Sequence, residues 1–192
     1  VGSHIEKPGI VTQSGNPVFF YCGKDPKFPD FNPQPIFDFF NELGMGQYNI
    51  PNAPDPNLSM FNWREDPYPI IWEKYLLVAS FALVTAYSGK TLGGVIFDIK
   101  SLDLLKKVMK EIVKIAEKKN IKLPDNIISK TIELCKDYTK IKTSYQRDIE
   151  KGKRNEGDLF GGTIIRLGQE LGVPTPVTKS LYSQIKKKVN HL

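Results

Sequence analysis

IIWEKYLLVASFALVTAY, residues 70–87, is apolar on nearly every side of a 3.6-residue period. A helix without a polar face is buried, so this stretch predicts a central helix with other helices packed around it. Ser80 and Thr85 interrupt its apolar run, and no run in the chain reaches the roughly 18 apolar residues of a membrane helix. Downstream the helical period continues. Ser101 is placed to cap a helix reaching residue 119, with Leu105, Val108, Met109, Ile112 and Ala116 on one face. Lys106, Lys107, Lys110, Lys114 and Lys118 take the opposite face. A third helix is predicted from residue 125 to 138, with Ile128, Ile132 and Cys135 inward, and can run on past Gln146. A fourth spans residues 159–171 and stops at Gly172; a fifth follows Pro176 and carries Leu181, Ile185 and Val189.

Upstream the texture changes. Eleven of the fourteen prolines precede residue 70, which predicts strands and turns there rather than long helices. Residues 4–6, 9–12 and 17–22 read as strands, residues 35–43 as a helix closed by Gly44, and residues 47–50 as a further short strand. Residues 51–69 read as a Pro/Asn/Asp-rich connector. So little sheet buries too little surface to stand alone, and the segment reads as the end of a larger α/β domain. The expected class is therefore mainly α, an all-α domain preceded by a few strands and a helix.

The 192 residues include 27 Lys plus Arg and 21 Asp plus Glu, a net charge of +6. Most of the excess lies on the predicted lysine faces of residues 100–154, so a solvated helix surface accounts for it, with an anionic ligand as the other reading. Eight aromatics lie between Phe19 and Phe40 among Pro, Asp and Asn rather than basic residues, so no nucleic-acid partner is expected. Two cysteines, Cys22 and Cys135, make no disulfide framework, and a cytoplasmic protein with no membrane partner is expected.

Several short motifs fail on inspection. Gly44-Met45-Gly46 opens like a dinucleotide fingerprint, but Asn49 stands at the third glycine. Gly89-Lys90-Thr91 resembles the end of a phosphate-binding loop, but its first glycine would fall on Val84. The two histidines and two cysteines have no metal-ligand spacing, so no metal is expected. Lys74 is different. In the most apolar helix its charged form would be costly to bury, which suits a proton donor; equally, a lysine near a helix start can reach water. Asp158 precedes a predicted helix and reads as its N-cap.

KTSYQRDIEKGKRNEGDLFGGTIIRLGQELGVPTPVTKSLYSQIK, residues 142–186, closely resembles the C-terminal domain of the 2-dehydropantoate 2-reductase (ketopantoate reductase) family. The family pattern runs TS-x-x-Q-D, a short Gly-containing loop, E-x-D, G-x-x-x-R-x-G, then G-V-P-T-P before a last helix with L-Y. Nearly every element stands here at its spacing. IWEKYLLVASFALVTAYSGKTLGGV, residues 71–95, resembles the family's lysine helix and the turn after it. HIEKPGIVTQSG, residues 4–15, resembles the last strands of its Rossmann domain.

The resemblance implies residues 1–66 as the end of an NADP-binding Rossmann domain plus linker, and residues 67–192 as a helical substrate-binding and catalytic domain of the 6-phosphogluconate-dehydrogenase C-terminal type. It implies hydride transfer from NADPH to the C2 ketone of 2-dehydropantoate or a related 2-oxo acid, in pantothenate and coenzyme A synthesis, with a homodimer as possible assembly. Lys74 would supply the proton and the cation, Glu156 would orient a substrate hydroxyl, and Ser144 would bind the carboxylate end. Where the family usually has two substrate-gripping asparagines, this chain has Val78 and Ala82, and Gly157 replaces a larger residue in the E-x-D run. Those departures put 2-dehydropantoate itself in question and favour a more apolar 2-oxo acid. With no complete glycine fingerprint, the 192 residues alone are expected to be inactive. The alternative is a non-catalytic helical module used for dimerisation or protein contact.

Overall fold

The computed structural model describes residues 2–14, 20–25, 27–44 and 61–189. The chain forms two compact units, Val1–Pro67 and Tyr68–Leu192. In the first, β1 (Gly2–Lys7) and β2 (Ile10–Ser14) pair antiparallel around Gly9, whose φ of 83° suits the tight turn. β3 (Phe20–Gly23) and β4 (Phe61–Arg64) pair parallel, with α1 (Gln34–Glu42) in the crossover. β4 corrects the expected connector over residues 51–69. Its Phe-Asn-Trp-Arg run alternates bulky and polar side chains, and local strand propensity prevails over the proline-rich flanks. Trp63 of β4 meets Phe37 of α1 edge-on, with ring centroids 5.2 Å apart. None of α1 is buried, as befits a crossover over a sheet that has two strands among the described residues. The expected strand over residues 47–50 lies outside the described residues.

The second unit is helical: α2 (Tyr68–Ser88), α3 (Leu92–Ile96), α4 (Ile99–Lys118), α5 (Ile127–Leu134), α6 (Ser144–Glu150), α7 (Thr163–Leu171) and α8 (Pro176–Val189). A 3-10 turn, Lys136–Tyr138, follows α5, and a π-helical turn, Asp158–Gly162, precedes α7. α2 is the axis of this unit. Although polar residues break its apolar run, its 21 residues and mean hydropathy of 1.4 are long and apolar enough to cross a membrane, which corrects the expectation. Instead it packs against α4, α6, α8 and the π-turn, with Leu76, Phe81, Leu83 and Val84 fully buried. α4 buries Leu105, Val108, Met109, Ile112 and Ala116 and exposes its lysines, as the periodicity predicts.

Three local expectations are corrected. α4 is capped by Asp98, not Ser101: Asp98 Oδ2 accepts from Ser101 N (2.9 Å) and Ser101 Oγ (2.7 Å). Carboxylate and serine share the first turn, and the acid wins the cap. The third helix does not run past Gln146, because residues 139–141 leave it to bond α3. Gly93 N donates to Thr139 O (3.0 Å) and Leu92 N to Ile141 O (2.9 Å). A Cβ on Gly93 would come within 2.6 Å of Thr139 Cβ, so glycine permits this approach. Thr143 then caps α6 through Gln146 N (3.2 Å). Finally, Asp158 makes no side-chain cap; its carboxylate faces Arg166 Nη1 at 2.9 and 3.1 Å.

The end of the domain is closed by Gly172 in the left-handed region (φ 67°), which stops α7 as expected. Glu111 of α4 then reaches the start of α8. Its carboxylate accepts from Val177 N (2.8 Å), Thr178 N (3.0 Å) and Thr178 Oγ1 (2.6 Å). A buried charge with three donors at a helix N-terminus is well satisfied.

Candidate active site

Lys74 is an exposed residue in the N-terminal half of α2. Its neighbour Glu73 pairs with Lys130 of α5 at 3.5 Å. Burial pushes the Cys135 thiol up to about 11, and the Lys74 charge opposes that push. Thr85 lies eleven residues further on. Three turns of 3.6 residues bring it back to the face of Lys74, about 16 Å along the axis. There Thr85 Oγ1 meets Thr143 Oγ1 at 2.8 Å, which ties the N-cap of α6, one residue before the exposed Ser144, to α2. Val78 and Ala82 fall between them. Val78 is half-buried, whereas Ala82 is 2% exposed and belongs to the packed core.

Glu156 is exposed, in the loop before the π-turn. Leu159 N donates to Glu156 O (2.9 Å), and Tyr75 Oη lies 3.1 Å from Leu159 O and 3.2 Å from Phe160 O. The turn carrying Glu156 is thus bonded to the α2 residue next to Lys74. Its other side is held by Tyr145 of α6, whose ring meets Phe160 edge-on at 5.5 Å. The Tyr145 hydroxyl occupies the space that a Cβ on Gly157 would fill. Burial, then the neighbouring Tyr182, pushes the Tyr145 hydroxyl up to about 12. Gly162 is likewise explained, since a Cβ there would meet the Asp158 carboxylate and lie 3.0 Å from Arg166 Nη1. The structure therefore ties the segments of Lys74, Glu156 and Ser144 to α2, Glu156 near its start and Ser144 three turns along. Tyr75 and Thr85 help form the site without belonging to any sequence motif; all that the sequence offers for them is that a tyrosine or threonine on a buried helix needs a partner for its hydroxyl.

A nicotinamide dinucleotide needs free backbone N–H groups at a glycine-rich turn. The turn after α2 does not offer them. Gly89 N donates to Thr85 O (2.8 Å), Gly93 N to Thr139 O (3.0 Å) and Gly94 N to Thr91 Oγ1 (3.2 Å). Lys90 is held by Asp98 at 2.7 Å. This turn does not fit a pyrophosphate. Among the described residues, no group of three His, Cys, Asp or Glu is placed to hold a metal ion.

The second unit has the helical C-terminal fold of ketopantoate reductase-like proteins. Residues 67–189 match the profile of the family described as ketopantoate reductase PanE/ApbA C terminal, and the chain belongs to that family. A 2-dehydropantoate 2-reductase of Pyrobaculum aerophilum is 28% identical over 124 residues, 65% of this chain and 44% of the relative. That of Mesorhizobium japonicum is 27% identical over 124 residues, 65% of this chain and 38% of the relative. The chain thus spans less than half the length of these relatives. Among solved structures, a PanE/ApbA family ketopantoate reductase from Ralstonia eutropha JMP134 superposes with a TM-score of 0.78 at 19% identity. The match covers all of this chain and 57% of that one. D-mandelate dehydrogenase in complex with NADH gives 0.76 at 17% identity, covering all of this chain and 61% of that one.

Proposed function

We propose that this chain supplies the substrate-holding, proton-donating part of an NADPH-dependent 2-oxo acid reductase. The observation that carries this reading is the joint presence of Lys74 and Glu156, the former on α2 and the latter on a turn bonded to the next residue of α2. In this reading the Lys74 ammonium sits at the C2 oxo oxygen. It balances the charge that develops there and gives its proton to the forming alkoxide. Glu156 accepts a hydrogen bond from a substrate hydroxyl. The hydride comes from NADPH, whose pyrophosphate the turn after α2 does not fit, and the 192 residues alone are expected to be inactive. Val78, half-buried on α2, favours an oxo acid with a more apolar side chain than 2-dehydropantoate; Ala82 is packed in the core and takes no part in holding the substrate. A second copy of the chain completes the assembly.

The test is steady-state NADPH oxidation by the longer protein that carries these residues, with 2-dehydropantoate and simpler 2-oxo acids. Lys74→Ala should lower turnover by about 10²–10⁴-fold, the usual worth of a general acid. A longer protein that reduces no 2-oxo acid would point instead to a non-catalytic helical module.

A further inference from the structure

We propose that Tyr75 is a positioning residue for Glu156: its hydroxyl locks the π-turn to α2 and so sets how tightly the oxo acid is held. This rests on the reading of Lys74 and Glu156 given above. Tyr75 has a single O–H, shared between Leu159 O (3.1 Å) and Phe160 O (3.2 Å). Both carbonyls belong to the five-residue π-turn, a geometry that is rare and concentrated at functional sites. Wide i→i+5 closure leaves such carbonyls with spare accepting capacity, and a half-buried donor from a neighbouring helix fits that need.

The linkage to Glu156 is short. Tyr75 bonds Leu159 O, and Leu159 N donates to Glu156 O at 2.9 Å. The side chain of Glu156 is exposed, so the backbone that carries it is what limits where its carboxylate can reach. On the turn's far side, the Asp158–Arg166 pair and the Tyr145 ring against Phe160 hold it within its own neighbourhood. Tyr75 instead ties it to the helix of the proton donor. Lys74 and Glu156 must act on one substrate, and a displacement of about 1 Å between such groups can cost about 10²-fold in rate. Burial raises the Tyr75 hydroxyl above the ordinary phenol range, against smaller lowering effects of Arg166 and Thr163. It therefore stays a donor at neutral and mildly alkaline pH.

The experiment compares four forms of the longer protein: wild type, Tyr75→Phe, Glu156→Gln and the double variant. Phenylalanine keeps the ring that meets Trp72 at 5.9 Å and removes only the hydroxyl. Tyr75→Phe should raise KM for the oxo acid about tenfold, with kcat changed less than about threefold, the effect of about one lost hydrogen bond. In the Glu156→Gln background the same change should move KM less than about twofold, because the two act as one unit. An equal rise in both backgrounds, or no rise in the first, overturns the proposal. Hydrogen–deuterium exchange over residues 156–163 provides a readout independent of activity. Faster exchange in Tyr75→Phe is expected, and unchanged exchange overturns the proposal whatever the kinetics. A wild type that reduces no oxo acid defeats the functional reading instead, and the exchange data still decide whether Tyr75 holds the turn.

Discussion

Thr85 and Thr143 join two helices through hydroxyls 2.8 Å apart, across 58 positions of sequence. The direction of the bond follows from their other partners. Thr85 Oγ1 donates to Phe81 O at 2.7 Å, which uses its one proton, so Thr143 donates to Thr85. The Thr143 oxygen still accepts from Gln146 N and caps α6. The two residues are therefore unequal. Thr143→Val should cost about 1–2 kcal/mol, by losing a cap and a cross-helix bond together. Thr85→Val should cost less, about 0.5–1 kcal/mol, since Thr143 is half-buried and keeps its cap. Urea unfolding of the two variants checks the order, and equal losses would contradict the assigned direction.

Glu111 offers a larger effect. One carboxylate serves three donors at the start of α8. Glu111→Ala should destabilise the protein by about 3 kcal/mol, because two backbone N–H groups and a hydroxyl lose their acceptor in a buried place. Glu111→Gln keeps one accepting oxygen and should lose less. A thermal melt in which both variants match wild type would show that α8 is not docked through this residue.

The longer helices of the second unit, α2, α4, α7 and α8, were legible because their apolar spacing is regular and their stops are chemical, whereas the short α3 was not expected. Gly172 ends α7 and Pro176 begins α8 as the residues dictate. What was not legible depended on distant partners. The break between α5 and α6 exists because α3 takes the carbonyls of Thr139 and Ile141, which no local pattern announces. β4 was hidden by its proline-rich flanks, and the cap of α4 by two good candidates three residues apart. The candidate site was legible only in part. Lys74, Ser144 and Glu156 stood out through a family resemblance, whereas Tyr75 and Thr85 became visible only as side chains with partners across the fold.

Buried phenols make stability fall at alkaline pH. The Tyr145 hydroxyl is pushed up to about 12 by burial and then by Tyr182, and the Cys135 thiol up to about 11 by burial. A raised folded-state value means that the unfolded chain loses its protons first. Stability is then fully present below the unfolded values, near 10 for the phenol and 9 for the thiol, and is lost as pH rises through the folded ones. The Tm should therefore be flat up to about pH 9 and decline steeply between about pH 9 and 12. Replacing Tyr145 by Phe should make that decline shallower. A slope that Tyr145→Phe leaves unchanged would assign the alkaline loss to other groups.

Val78 and Ala82 carry the prediction about specificity. The ketopantoate reductase pattern places asparagines there, four and eight residues after the lysine. The two positions differ in surroundings: Val78 is half-buried, and Ala82 is 2% exposed in the core. Ala82→Asn would bury an amide among apolar groups at a cost of about 1–3 kcal/mol, so its first effect should be a lower Tm. Val78→Asn is the cleaner probe, because an amide there falls about 40° round the helix from Lys74 and one turn along it. In the longer protein it should raise the ratio of kcat/KM for 2-dehydropantoate over a 2-oxo acid without a hydroxyl by about tenfold, the discrimination one directed hydrogen bond provides. Should Val78→Asn keep the wild-type Tm and leave that ratio unmoved, Val78 does not face the substrate side chain. Specificity would then have to be sought elsewhere along the Lys74–Thr85 face.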